Sequence, residues 1–352
     1  MQINIASRLH PFSHTPGISL LLPQSVLELQ VFPTRLKIES QALDFNLLGP
    51  LTGFTVEQDL ERGEVSVFAH AKQGYFRYFI RKIDKGIELF FKKCPENGIT
   101  LTFQDKSFTF TAGENFFIPW DSKESSPTVE RLSLGMHKSQ DWDLVKRRAD
   151  LKEIFPVWLK ISAFLPEVKI EHKPVGTLTL LYLCESLINE KEKNALVPAF
   201  TNLFHAGFQG ILTPRLSDLS HLGLCPISDV PQDLSPLILL KEGARLIKSL
   251  FFKEEEQKIF LLPVLPPEFH AGRFINLKTK TNDLIDMEWS KKLLQKVIIR
   301  SSEASTKTLI LQKSIKRFRI RKSMKDKGLT LETPATLHLH PSKTLYLDHF
   351  EE

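Results

Sequence analysis

Between Val26 and Thr111 the chain repeats one pattern: apolar and polar residues alternate in short runs, and turn-forming residues separate the runs. Val26-Leu27-Glu28-Leu29-Gln30-Val31-Phe32 alternates, and so does Glu64-Val65-Ser66-Val67-Phe68-Ala69-His70. Tyr75 to Ile80, Gly86 to Phe91, Ile99 to Phe103 and Phe108 to Thr111 continue the series. A period of two sends successive side chains to opposite faces, so each run predicts a strand with one buried wall. Asp84-Lys85-Gly86, Glu96-Asn97-Gly98 and Ala112-Gly113 are the turns between them. Short strands at this spacing predict an antiparallel β-sandwich over residues 1–120. The aromatic content agrees: 26 Phe against 4 Tyr suits a packed interior better than a wet binding face.

The pattern then changes. Residues 121–130 are polar and read as a linker. In 141–165, Leu144, Val145, Leu151, Ile154, Phe155, Trp158 and Ile161 recur at helical spacing, and Pro156 is expected to break or kink that run. Further helices are expected near 176–190, 194–206 and 235–252, with Gly207 and Gly210 ending the third, and Asp233 or Ser235 capping the one that begins near Pro236. A short helical region over 131–257 follows. The acidic run Glu254-Glu255-Glu256 precedes Ile259-Phe260-Leu261-Leu262-Pro263-Val264-Leu265-Pro266, an expected rigid extended strap, after which strands resume. The C-terminal β domain is placed at 258–352. The fold class expected is multidomain α and β: an N-terminal antiparallel β-sandwich, a short helical middle region and a C-terminal β-sandwich.

The strap and the strands after it resemble the seam between the helical catalytic domain and the C-terminal β-sandwich of glycoside hydrolase family 95, the α-L-fucosidase type. Leu262-Pro263 and Leu265-Pro266 match the family's Leu-Pro-x-Leu-Pro; Phe269 stands where the family has Trp; Gly272 and Leu277 keep the next spacing. Ile285-Asp286-Met287-Glu288-Trp289 resembles its apolar-Asp-apolar-x-Trp strand, and Leu294 and Val297 to Ile299 fall on the next one. The resemblance covers roughly 255–300. It implies a carbohydrate-active protein, either a reduced or divergent glycosidase or a glycan binder without turnover; the alternative is a non-catalytic interaction or structural protein that kept the β domains, or a binder of acidic partners through the basic segment 291–327. Over the remaining length the chain resembles bacterial proteins of chlamydial type, which implies no activity.

Two departures bear on catalysis. A closed helical toroid needs about twelve helices, roughly 300 residues by helix rise and usual length, and the helical region here is far shorter. The family's Asp-Gly-Asn-Phe-Gly motif corresponds to Val230-Pro231-Gln232-Asp233-Leu234-Ser235-Pro236-Leu237, where only an Asp remains. No catalytic role is carried over, to Asp229, Asp233 or any other residue. Glycoside hydrolysis needs two carboxyl groups at a fixed separation, and Asp141, Asp143, Asp150, Glu153, Glu185, Asp218 and Glu242 supply candidates. Asp143 with Arg147, and Lys146 with Asp150, also sit at ion-pair spacing on a helix.

The densest polar and aromatic cluster runs from Leu134 through Met136 and His137 to Asp143, with Arg147-Arg148 next. Aromatic faces suit sugar C–H surfaces, and carboxylates or guanidinium groups suit hydroxyls. Trp120, Asp141, Trp142, Arg147 and Arg148 are therefore candidate ligand-binding residues, with Trp158 nearby; a core Trp beside an acidic helix start explains the same residues. A basic ladder forms the second candidate surface. Residues 291–327 hold 13 Lys or Arg against 2 Asp or Glu, a local +11; since the whole chain carries +6, the rest sums to −5. In Ile315 to Lys322, Arg317, Arg319 and Arg321 share one strand face, open either to an acidic partner or simply to solvent.

No metal or cofactor is expected. His10 and His14 flank prolines without other ligands, and His338, His340 and His349 are equally unsupported. Cys94, Cys184 and Cys225 are scattered and odd in number, which points to a reducing, cytoplasmic setting. Phosphate-binding loops, dinucleotide fingerprints and nucleophile elbows are absent from the sequence, as is any apolar run approaching the ~18 residues of a membrane span.

Overall fold

The computed structural model describes residues 1–10 (backbone alone for 7–10), 17–120, 130–135, 138–166, 174–218, 230–323 and 325–352. His14, Met136, His137, Cys225, Asp229, the linker stretch 121–129 and the side chain of His10 lie outside the described residues.

The alternating runs build two sheets. Asn115–Pro119, Gly86–Lys93, Gly74–Ile83, Glu64–Ala71, Leu51–Asp59, Gln2–His10 and Ser139–Asp141 lie side by side in that order. Lys106–Phe110, Ile99–Phe103, Gln41–Phe45, Arg35–Ile38, Glu28–Val31 and Ile18–Leu21 form the second sheet. Every pairing is antiparallel except that of Gln2–His10 with Ser139–Asp141. The buried walls of the two sheets meet face to face: Phe45 stacks on Tyr78 at 5.0 Å, Phe91 on Phe110 at 4.7 Å, and Gln58 Nε2 donates to Leu21 O at 2.6 Å. This is the expected N-terminal sandwich.

Five helices follow among the described residues: α1 (Trp142–Arg148), α2 (Leu151–Ser162), α3 (Leu178–Glu190), α4 (Lys193–Gly207) and α5 (Leu237–Phe251). The run expected to break at Pro156 breaks earlier. Ala149 takes the left-handed conformation and closes α1, while the Asp150 carboxylate accepts from Lys152 N at 3.0 Å and opens α2. Pro156 stays inside α2, buried, because the apolar stripe on either side is held in the core. At the start of α5 Pro236 offers no side-chain cap, but Ser235, one of the two expected capping residues, accepts from Leu237 N at 3.4 Å. The end of α4 is closed by Arg215, which donates to Ala206 O at 2.8 Å and His205 O at 3.0 Å.

The C-terminal region is a second sandwich. Its larger sheet runs Arg131–Ser133, Gly272–Lys278, Leu284–Ser290, Leu293–Arg300, Thr344–Glu351, Arg317–Arg321 and Leu329–Glu332; its smaller sheet runs Phe252–Glu255, Lys258–Leu261, Ser305–Ile310 and Ala335–Leu339. Strands thus begin at Phe252, before the Pro strap, where they were expected to resume only after it. Glu254 belongs to the smaller sheet and is buried, in an ion pair with Lys307 at 2.8 Å that is almost wholly out of solvent. The strap itself is bent rather than extended. Leu262, at φ 51°, donates its N–H to Phe251 O, and Val264 N reaches Leu250 O. The strap turns because its amides satisfy the last carbonyls of α5, which no further helical turn can reach.

The buried apolar residues, from Ile3 to Leu347, form one connected core. Three fully buried Trp rings anchor it, and each indole N–H reaches a carbonyl far away in sequence. Trp142 donates to Gly210 O at 2.7 Å, Trp158 to Leu240 O at 2.9 Å and Trp289 to Phe269 O at 2.9 Å. Trp158 lies so close to α5 that a Cβ on Gly243 would stand 2.2 Å from its ring. Helix propensity alone makes Gly243→Ala stabilising; this contact reverses the sign. The substitution is expected to destabilise the protein by about 1–3 kcal/mol, read by urea denaturation, and an unchanged or raised midpoint refutes the close packing.

Candidate functional site

The residues singled out in the sequence do not converge on one point. Asp141 is the N-cap of α1, its Oδ1 accepting from Asp143 N at 3.0 Å and Leu144 N at 3.2 Å. Trp142 is wholly buried and edge-on to Phe204. Arg147 is exposed, with Nε on Asp143 O at 3.3 Å, and lines a cleft of about 580 Å³ with Phe204, His205 and Phe208. Arg148 leaves the other side of α1 and grips Glu153 with two hydrogen bonds, 2.9 and 2.8 Å. Trp120 follows the strand at the opposite edge of the seven-stranded sheet from Ser139–Asp141. Six strand spacings separate the two edges, about 29 Å measured along the sheet.

Arg148 opens onto a groove at the seam between helices and C-terminal sandwich. The groove holds about 660 Å³ and is walled by Arg148, Asp150, Glu153, His270, Arg273, Glu288 and the edge of Trp289. A second groove, of about 580 Å³, adjoins it and shares Ser133 and Arg273. Local structure explains this junction. Arg131–Ser133 pairs with Gly272–Lys278 so that Ser133 faces Arg273 and Arg131 faces Ile275. Residues opposite each other on paired strands point to the same face, so Arg131, Ser133, Arg273 and Ile275 make one wall. Gly272 brings the backbone against Trp289, where a Cβ would lie 2.4 Å from the ring.

The carboxylates at this seam are engaged. Glu153 holds Arg148, Asp150 caps α2, and Glu288 lies 3.4 Å from Arg273. Glu130 accepts from Lys248 Nζ at 2.6 Å and Lys278 N at 2.7 Å. Elsewhere among the helices, Glu185 and Glu242 both bind Arg245 (2.7 and 2.5 Å), Asp143 binds Lys146 at 3.3 Å rather than Arg147, and buried Asp218 binds Arg215 at 3.2 Å. A carboxyl pair of a different kind sits in the N-terminal sandwich. Burial, then the charge of Glu39, push the Glu28 carboxyl above its ordinary pKa. Both residues line a cleft of about 420 Å³ against the start of α5, with Lys37. Sequence reading missed them because Glu28 occupies an ordinary polar position of an alternating strand.

The basic ladder is matched by its neighbouring strand. Arg317 pairs with Glu351, and both Arg319, at 2.8 Å, and Arg321 pair with Asp348. The acids come from Thr344–Glu351, adjacent in the sheet but distant in sequence from the counted segment. His338 meets Thr306 at 3.3 Å, and among the described residues no group of three or more His, Cys, Asp or Glu is placed to hold a metal. Burial pushes the Cys184 thiol up to about 12. Among the described residues no helix is long and apolar enough to cross a membrane.

With this geometry in place, comparison with known families adds one finding. Residues 254–340 match the model described as glycoside hydrolase family 95, C-terminal domain. The C-terminal sandwich therefore resembles a domain of glycoside hydrolases. No curated protein matches the chain. The match includes most of the smaller sheet and the basic ladder, and it contains Asp286, whose role is visible. Asp286 takes two hydrogen bonds from Arg300, both 2.8 Å, and one from Asn276 N at 2.7 Å. Burial alone raises its pKa, but the Arg300 and Asn276 hydrogen bonds outweigh burial and hold it below the ordinary value.

A depressed carboxyl pKa stabilises the fold fully above the unfolded value near 3.9, and that stability is lost as pH falls through the lower folded value. Asp286→Asn is expected to cost about 1 kcal/mol at pH 7, allowing for solvent screening of a partly exposed pair. It is also expected to flatten the acid limb below pH ~4. Urea unfolding of both proteins at pH 7 and pH 3 checks this; equal losses at the two pH values would contradict the assignment.

Proposed function

We propose that this protein binds carbohydrate in the double groove beside Arg273 and does not turn it over. The observation that carries the reading is the state of the groove's carboxylates. A glycosidase needs one protonated acid and one free base or nucleophile facing each other across the sugar. Here Glu153, Glu288 and Glu130 each hold a cation and Asp150 caps a helix. Such an arrangement suits hydroxyl recognition: guanidinium groups locked by their carboxylates present fixed donors and acceptors to a ligand without reorganising. The family match supports a sugar as the ligand class, and the short helical region supports loss of turnover.

One observation favours a second reading. Glu28, with its raised pKa beside Glu39, has the environment of a general acid next to a second carboxylate. On that reading hydrolysis takes place against the N-terminal sandwich instead.

A glycan array run beside hydrolysis of chromogenic fucosides, galactosides and glucosides separates them. Binding without hydrolysis is expected, with Arg148→Ala and Arg273→Ala each weakening affinity about tenfold, the loss of one charge-assisted hydrogen bond. Hydrolysis that disappears in Glu28→Gln would establish the second reading. Silence in both assays would refute carbohydrate recognition altogether.

A further inference from the structure

The second groove differs from the first in its charge. Three cations line it from separate elements: Arg131 on the edge strand, Lys160 on α2 and Arg273 on the larger C-terminal sheet. Lys138 adds a fourth at an exposed position. Two carboxylates stand against them, and one of these, Glu130, is already held by Lys248. Arg273 is held from the neighbouring groove by Glu288 at 3.4 Å, and Glu61, from the turn after Leu51–Asp59, serves the other two: it lies 3.2 Å from Arg131 and 3.7 Å from Lys160. Lys160 is only 13% exposed, so its ammonium is held at the groove by its packing.

Register sharpens the point. Arg131 faces Ile275, and Arg273 faces Ser133, so the two guanidinium-bearing residues are diagonal neighbours on one sheet face. Diagonal Cβ atoms are about 7–8 Å apart, and like charges so placed repel. An anion between them converts that repulsion into attraction. Beside the cations run Leu132, Pro156, Leu159 and Ile275, an apolar wall suited to the C–H face of a sugar ring.

We infer that this groove is an acid-group subsite, taking the carboxylate of a uronic-acid residue in a glycan that lies across both grooves. The inference rests on the binding function proposed above and adds its ligand class. The Glu61 carboxylate occupies the place that the ligand's carboxylate takes, so it is a competitor for the same cations. That makes an unusual demand: removing an acid from the site must strengthen binding of an acidic sugar, and more than that of a neutral one.

The test uses the full chain on an array of matched neutral, uronate-bearing and sulfated oligosaccharides at low salt, followed by calorimetry on the binders. The uronate form is expected to bind at least tenfold more tightly than its neutral counterpart, with the preference shrinking as salt rises. Arg131→Gln, at an exposed position that leaves the core untouched, is expected to remove most of the preference, lowering uronate affinity severalfold more than neutral-sugar affinity. Lys160→Gln is expected to do the same, with thermal melting as the check on folding. Glu61→Gln is expected to raise uronate affinity severalfold. Equal binding of neutral and uronate forms, unmoved by these variants, overturns the subsite while sugar binding stands. Binding of sulfated but not uronate sugars overturns the ligand class. No binding to any sugar removes the parent reading and this one with it.

Discussion

The junction around Trp289 holds the molecule's halves in register. Its indole N–H is bonded to Phe269 O, and its ring packs on Phe251 at 5.3 Å. Phe269 in turn meets Phe155 of α2 at 5.5 Å, and Phe155 meets Phe200 of α4 at 5.0 Å. Three helices and the larger C-terminal sheet therefore share one aromatic cluster, with the bent strap running through it. Burying one such ring removes about 200 Å² from water, worth about 5 kcal/mol as an upper figure. A surface ion pair contributes about 0–1 kcal/mol, so ring burial, and not the many ion pairs above it, decides how the helices sit on the sheet. Gly272 is required by that arrangement, since a side chain there would enter the Trp289 ring.

The seam follows from the same cluster. Because the aromatic rings fill the interior between helices and sheet, the polar residues at its margin are left along an open channel. The edge strand Arg131–Ser133 adds a cationic wall there, while Ser139–Asp141, only a few residues later, joins the N-terminal sandwich. This connecting stretch stitches together sheets from both ends of the chain. The grooves arise where it crosses between them, which is why Glu61, Lys160 and Arg273 meet despite their separation in sequence.

Charge counting in one dimension misled where pairing in three dimensions corrected it. The +11 of residues 291–327 is real, yet the arginines of the ladder face Asp348 and Glu351, which lie beyond the counted window. Lys307, counted as part of the same excess, is buried against Glu254. The cations of the second groove are instead drawn from separate segments, with Arg131 and Lys160 sharing Glu61 and Arg273 held by Glu288.

The fold class could be read from the chain because it depends on local periodicity. Alternation at Glu64 to Phe103 predicts strands one by one, and helical spacing at Leu151 to Ile161 predicts α2. The Pro strap and the Trp289 strand likewise carry their family resemblance in contiguous residues, and the family match falls on them. Leu262 and Pro156 behave otherwise because their conformations answer to partners outside their own run: carbonyls of α5 needing donors, and a core holding the α2 stripe. A buried Trp142 was one of the two readings its sequence offered, whereas the distance of Trp120 from it and the Glu28–Glu39 cleft were invisible, since proximity is a property of packed elements. Sequence alone determined which elements form and what family the tail resembles, because hydrophobic period and turn chemistry act over a few residues. Only the tertiary structure decided which charges are matched and where the grooves open, because those depend on contacts between residues scores of positions apart.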